Sequence, residues 1–423
     1  VARLRGVLAR IPRRGGNLAI NQVLSGGSNI LALGGASLTL SGAGFDRFAL
    51  QQTFFFLALT LGRCVYEGGL AVQREVGRAV LPRSWALTVA PVLGTAVALV
   101  AAGVTLLDDP RAAVATVALM VAVGIAVCAQ DALRYHLISR ERWREVNLAD
   151  GVWLLGVVVL LAVGTGSAEL FLLGWGASAL VSAGCAWIAT AAPGGPDRQV
   201  TFREAWRPGR WVTLDAGLGQ ASLLLPLVFG QLYTATAVVG VLRLMQSSLS
   251  PVNTLYNVIA LSFLGDAHRL GEQDAVRSFF GRMLRTSLVY GLITLAWCGI
   301  AFPVVWFVSG RDLLPGGTFL LLAGTLGAVT LLNAVTAPLG AGVRALNRPR
   351  SVIAPRAAGL LATVALLWVA STASDELRVA AVPAGLLVSA VVSAVAWVFV
   401  FRAARHREGV AGPAGEVSPV GAP

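Results

Sequence analysis

Arg63 and Arg243 each stand inside a long run of apolar residues, the first within residues 45–72 and the second within 236–264. A guanidinium placed there needs a negative partner, because a charge taken out of water without one is costly. Two kinds of partner are open. One is internal: Glu67 lies four residues from Arg63 on the same helical face, while Asp215 or Asp131 could reach Arg243, which has no acid within one turn of its own helix. The other is an anionic ligand, and the planar fork of arginine suits a phosphate or diphosphate. Neutral polar groups accompany both arginines. Gln52, Thr60, Arg63 and Glu67 fall within an arc of roughly 80°, and Arg243, Gln246, Ser247, Ser250, Thr254 and Asn257 within roughly 100°, at about 100° per residue. Asn17, Asn21, Ser25 and Ser28 mark a third polar face, and Asp215 with Ser222 a fourth. Amides and hydroxyls beside a bound phosphate can hydrogen-bond sugar hydroxyls.

Other chemistry finds little support. Cys64, Cys128, Cys185 and Cys298 lie within apolar runs and read as small apolar residues. His136, His268 and His406 are scattered, with no metal-ligand spacing, so no metal or cofactor is expected. No GxxxxGK[ST] loop is present, so the chain is not expected to be an ATPase itself. The acids between the apolar runs on the side poor in arginine, Asp108, Asp109, Glu169, Asp312, Asp375 and Glu376, are dispersed over short connections. A membrane glycosyltransferase or polymerase should instead show a clustered acid or histidine site and a sizeable outward loop, so an enzyme is not expected.

The elements that hold these residues are spanning helices. Of 423 residues 56% are hydrophobic and 13% charged, far from the quarter charged that clothes a soluble protein. Twelve apolar runs occur, near residues 17–40, 45–72, 84–107, 112–133, 148–164, 169–190, 213–233, 236–264, 286–308, 317–343, 352–371 and 379–401. Each is of the order of the 20 residues that cross a bilayer, and none has the alternation of a barrel strand. The fold class is therefore all-α, a polytopic membrane protein of about twelve transmembrane helices. A polar stretch with proline and glycine, from Ala192 to Trp211, divides them six and six. The expected organisation is a six-helix lobe over 1–195, a second over 196–404 and an irregular cytoplasmic tail over 405–423, with a substrate site between the lobes near mid-membrane. The first run follows an arginine-rich leader but is too long for a signal peptide, and is read as a retained span.

The net charge of +12 comes from arginine alone, since the chain has no lysine. Of 33 arginines, 27 fall at the two termini, in the connections after even-numbered runs or, as Arg356 does, just inside the run that follows such a connection. That is the positive-inside bias, which predicts a multi-pass plasma-membrane protein with both termini cytoplasmic and explains the basicity without nucleic acid. Gly26, Gly27, Pro226 and Pro251 interrupt the polar helices where bends would serve a rocking motion.

Several segments carry a family resemblance: GGNLAINQVLSGGSNILAL near the start, FDRFAL opening the second run, QDALRYHLISRERWREVNLAD from Gln130 to Asp150, VVGVLRLMQSSLSPVNTLYN in the eighth, and ALNRPRSVIAPR after the tenth. Through them the chain resembles the polysaccharide flippases of the multidrug/oligosaccharidyl-lipid/polysaccharide exporter superfamily, in particular actinobacterial members similar to O-antigen and teichoic acid exporters. The resemblance implies two lobes arranged as a V around a cavity lined by helices 1, 2, 7 and 8. It also implies transfer of a polyprenyl-diphosphate-linked oligosaccharide from the inner to the outer leaflet, with an H+ or Na+ gradient as an energy source. Arg63 and Arg243 match the basic residues that relatives carry in helices 2 and 8. On this reading Arg63 and Arg243 bind the diphosphate, with Gln52, Gln246, Asn21, Asn257, Ser25, Glu67 and Asp215 around the headgroup. An ion-coupled multidrug exporter of the same superfamily is the alternative, and it would place acids at the centre of its cavity.

Overall fold

The apolar runs fold as helices because a backbone inside lipid must satisfy its hydrogen bonds within its own segment. A computed structural model of the chain describes residues 13–76, 79–108, 114–191, 198–234, 237–250, 252, 272–345 and 349–410. Twelve principal helices lie among the described residues: α1 (Arg13–Thr39), α2 (Gly42–Val76), α3 (Val89–Asp108), α4 (Val114–Ser139), α5 (Trp143–Val163), α6 (Ala168–Thr190), α7 (Phe202–Tyr233), α8 (Val238–Ser248), α9 (Glu272–Val305), α10 (Gly316–Ala345), α11 (Ile353–Ala370) and α12 (Asp375–Val410). Ten of them, all but α1 and α8, are long and apolar enough to cross a membrane. The only strands among the described residues, β1 (Ala79–Val80) and β2 (Arg198–Gln199), form one short parallel pair. The chain is thus an all-α, multi-pass membrane protein.

The helices match the twelve apolar runs, with instructive differences at their ends. α4 runs six residues past the expected boundary at 133, α5 begins at Trp143 instead of 148, and α7 begins at Phe202 instead of 213. Charged residues at these ends look like loop in the sequence, yet those of α4 and α5 meet opposite charges inside the fold and α7 is started early by a capping box at Thr201, so the helices continue. α12 reaches Val410, beyond the boundary expected at 404, and the expected lobe boundary at 195 falls outside the described residues. So do Pro251, Thr254 and Asn257 of the eighth run.

Packing repeats between the halves. In the first six helices α1 packs on α5, α3 on α4, α4 on α6 and α5 on α6. In the second six α7 packs on α11, α9 on α10, α10 on α12 and α11 on α12, which is the same order of partners. The first half is filled by aromatic side chains, with Trp175 of α6 fully buried against Phe48 and Phe55 of α2 and Trp153 of α5. The two halves meet chiefly along α2 with α7, α2 with α8 and α1 with α8. The α2–α7 contact is close because glycines line it. A Cβ on Gly68 would run into the Ala205 carbonyl oxygen, and one on Gly209 would lie 2.9 Å from the Cys64 carbonyl oxygen.

Candidate functional site: two arginine environments on one face of α2

The polar residues of the first half converge on a buried network. Asp131 and Asp150 are 2% and 1% exposed. Arg63 of α2 donates from Nε to both carboxylate oxygens of Asp131, at 3.2 and 3.1 Å, and from Nη2 to Oδ1 at 2.9 Å. Arg134, one turn along α4, approaches the same Asp131 Oδ1 at 3.4 Å and places its Nε 3.2 Å from Asp150 Oδ2. Asn21 of α1 donates to Asp150 Oδ2 at 2.5 Å and accepts from Arg134 Nη2, while Gln130 donates to Asp150 Oδ1 at 3.0 Å. Two arginines and two aspartates cancel formally, which is what allows four charges to share a buried site. The cluster joins α1, α2, α4 and α5.

This network corrects three expectations. Arg63 pairs with Asp131 of α4, and Glu67 sits on an exposed position of α2. Asn21 is fully buried with both ends of its amide engaged, so it cannot reach a sugar hydroxyl in this arrangement. Arg134, counted above with the loop arginines, is a buried member of a spanning helix. Sequence reading missed Asp131, Arg134 and Asp150 as a unit because it placed them at helix ends. The available signal was Asp131 and Arg134 spaced by one turn with Gln130 alongside, but Asp150 joins them only through the turn between α4 and α5.

Arg243 has a different environment. Its guanidinium lies over the ring of Phe56 in α2, 4.9 Å from the centroid, and its Nη1 is 3.4 Å from Gln246 Oε1. It has no acidic partner among the described residues. Asp215, one of the two acids expected to reach it, is buried beside Arg356 of α11 at 3.3 Å, and Asp131 is taken by Arg63 and Arg134. Arg356, also counted as a loop residue, therefore belongs to the second half's polar interior. On α8 and α2 near Arg243 several buried polar atoms have no hydrogen-bond partner among the described residues: its own Nε, Gln246 Nε2, and both ends of the Gln52 amide. Gln52 is fully buried, one turn from Phe56. Arg63 lies seven residues beyond Phe56, two turns or about 10 Å along α2. Arg243 and Arg63 thus border the same face of one helix. Ser25 is half-buried, and its backbone carbonyl accepts from Ser28 and Asn29.

At the opposite end of α2, the Asp46 carboxylate accepts from the Gly240 backbone N–H at 2.7 Å, capping the start of α8. Any Cβ on Gly240 would meet the Phe45 ring and the Asp46 carboxylate. Ser37 and Ser309 hydrogen-bond at 2.5 Å, and Gln231 donates to Asp108 at 2.9 Å, at the same end of the helices. These contacts bridge the two halves on the side away from the arginine-rich connections.

Neither a family model nor a curated protein sequence matches the chain. Solved structures do. A multidrug resistance MATE family transporter of the MOP superfamily, in an outward-facing conformation, is similar with a TM-score of 0.56 at 14% identity, over 93% of this chain and 95% of that one. The lipid II flippase MurJ, in an inward closed conformation, gives 0.56 at 9% identity over 92% and 86%. The eukaryotic MATE transporter AtDTX14 gives 0.52 at 15% identity over 93% and 99%. At these identities the likeness is one of fold, which the chain shares with these transporters.

Proposed function

We propose that the protein is an alternating-access transporter that moves a polyprenyl-diphosphate-linked oligosaccharide from the cytoplasmic to the outer leaflet, as O-antigen and teichoic acid exporters do. The observation that carries this reading is Arg243 of α8, a cation that no described acid neutralises, seated on Phe56 near buried amides that have no hydrogen-bond partner among the described residues. Burying such groups is unfavourable unless something fills the site, and an anionic headgroup would do so. Arg243 is the principal phosphate ligand, Gln246 and Gln52 complete the contact, and Arg63 is a second cation whose charge Asp131 already offsets. Ser25, Asn257, Glu67 and Asp215 are assigned no more than a place near the headgroup, and Asn21 acts by holding Asp150 and Arg134. The arginine-rich side faces the cytoplasm.

The test is transport of a fluorescent polyprenyl-diphosphate oligosaccharide by protein reconstituted in vesicles. Arg243→Gln should abolish it at unchanged expression, Arg63→Gln should weaken it, and full transport by the double variant would refute the assignment.

A second reading, an ion-coupled multidrug exporter, is favoured by the MATE transporters among the similar structures. Asp131 and Asp150 are buried acids of the kind such coupling uses. Each is already opposed by an arginine, which is why this reading stands second. Drug efflux driven by an imposed H+ or Na+ gradient, and lost in Asp150→Asn, would put it first.

A further inference from the structure

We infer that the first two turns of α7 bind the anionic headgroups of phospholipids in the adjoining leaflet, separately from the Arg243 site. Thr201 caps the helix: its hydroxyl accepts from the Glu204 backbone N–H at 3.3 Å, and Glu204 accepts from the Thr201 backbone N–H at 2.9 Å. This capping box starts α7 before its apolar span, which begins at Gly209. Residues 202–208 therefore project about 10 Å beyond the span.

On this projection, continued through Arg210 at the first turn of the span, two stripes lie side by side. Phe202 and Trp206, four residues apart, stack with ring centroids 6.0 Å apart and planes 13° apart, and they are 45% and 40% exposed. Arg203, Arg207 and Arg210 follow at the next helical positions and are all exposed. At about 100° per residue the two rings and three guanidiniums share an arc of roughly 140°. None of the three arginines has an acidic partner among the described residues. The one acid of the stretch, Glu204, is taken by the capping box and by Arg198. Stacked rings exposed beside cations that no described acid neutralises suit the membrane interface, where aromatic rings rest at headgroup level and basic side chains meet anionic lipid. Continuity with a spanning helix selects lipid over a soluble anionic partner, which would leave the rings in water.

The platform is tied inward. Phe202 meets Trp85 edge-on at 6.3 Å, and Trp85 stacks on buried Tyr66 of α2 at 5.9 Å. A headgroup held here bears on the place where α2 and α7 cross, next to Gly68 and Ala205.

Native mass spectrometry of the purified protein with phosphatidylglycerol or phosphatidylcholine tests this site. The unmodified protein should retain phosphatidylglycerol preferentially, and 1 M NaCl should remove the preference, since salt screens exposed charges. Arg203→Gln, Arg207→Gln and Arg210→Gln together should lower the apparent phosphatidylglycerol affinity roughly 100-fold, at about fivefold per arginine, and leave phosphatidylcholine unaffected. Arg243→Gln should keep the preference, whatever it does to transport. The inference fails if the triple variant retains phosphatidylglycerol normally, or if the unmodified protein does not discriminate between the lipids. Should the triple variant not fold, a preference that 1 M NaCl leaves intact in the unmodified protein overturns it equally.

Discussion

Arg63 and Arg243 are the same side chain in the same kind of apolar run, and the fold gives them opposite electrostatic settings. Arg63 shares Asp131 with Arg134, so removing the carboxylate strands two guanidiniums on the one remaining aspartate. Breaking a buried ion pair from one side typically costs about 3–5 kcal/mol. Asp131→Asn should accordingly lower thermal stability sharply, while the double variant Asp131→Asn with Arg63→Gln should recover part of the loss because one orphan charge is gone. A double-mutant cycle of thermal unfolding in detergent reads that coupling, and strictly additive losses would deny the pairing. Arg243 rests on an aromatic face, an interaction worth about 0.5–2 kcal/mol. Phe56→Leu should therefore weaken binding of a diphosphate probe by roughly 2–30-fold without the stability loss of Asp131→Asn. Isothermal titration with a short-chain polyprenyl diphosphate measures it, and unchanged affinity would separate Phe56 from the site.

Helices α1 to α12 were legible in the sequence because a spanning segment must be apolar along its whole length. Their ends were not, where ion pairs at α4 and α5 and a capping box at α7 extend them. Asp131, Arg134 and Asp150 look like the polar edge of a loop until tertiary structure supplies each with its opposite charge. Arg243 and Arg63 were legible as candidates because each interrupts an apolar run, but which acid went to which arginine was decided by packing between α2, α4, α7 and α11. Close crossings depend on single residues in the same way. Gly68→Val should force α2 and α7 apart where the Ala205 carbonyl lies, costing roughly 1–3 kcal/mol, visible as a lower unfolding temperature. The start of α7 carries a pH dependence. Glu204 accepts the Thr201 backbone N–H and hydroxyl and faces Arg198, which hold its carboxyl below the usual glutamate range. A depressed folded-state pKa gives a contribution present in full above the unfolded value of about 4.3 and lost as pH falls through the folded one. Amide protection at residues 202–205, corrected for intrinsic exchange, should drop across that acid window in the unmodified protein and stay flat in Glu204→Gln.

Across the whole molecule, the repeated order of helix partners means that each half is packed in the same way within itself, while the halves meet closely along α2 with α7 and through a few nameable polar contacts. At the end away from the arginine-rich connections these are Asp46 with the start of α8, Asp108 with Gln231, and Ser37 with Ser309. Alternating access requires the two halves to separate there once per cycle, because otherwise a headgroup held at Arg243 has no exit on that side. The two serine hydroxyls are 2.5 Å apart, which brings the sulfurs of cysteines at the same positions within reach of each other. In a background where Cys64, Cys128, Cys185 and Cys298 are replaced, Ser37→Cys with Ser309→Cys should crosslink on mild oxidation, stop vesicle transport, and recover it on reduction. Binding of a diphosphate probe offered from the arginine-rich side should survive the crosslink, since the bond closes only the far end. Full transport by the crosslinked protein would show that the halves do not part at this contact, and that cargo leaves by another route.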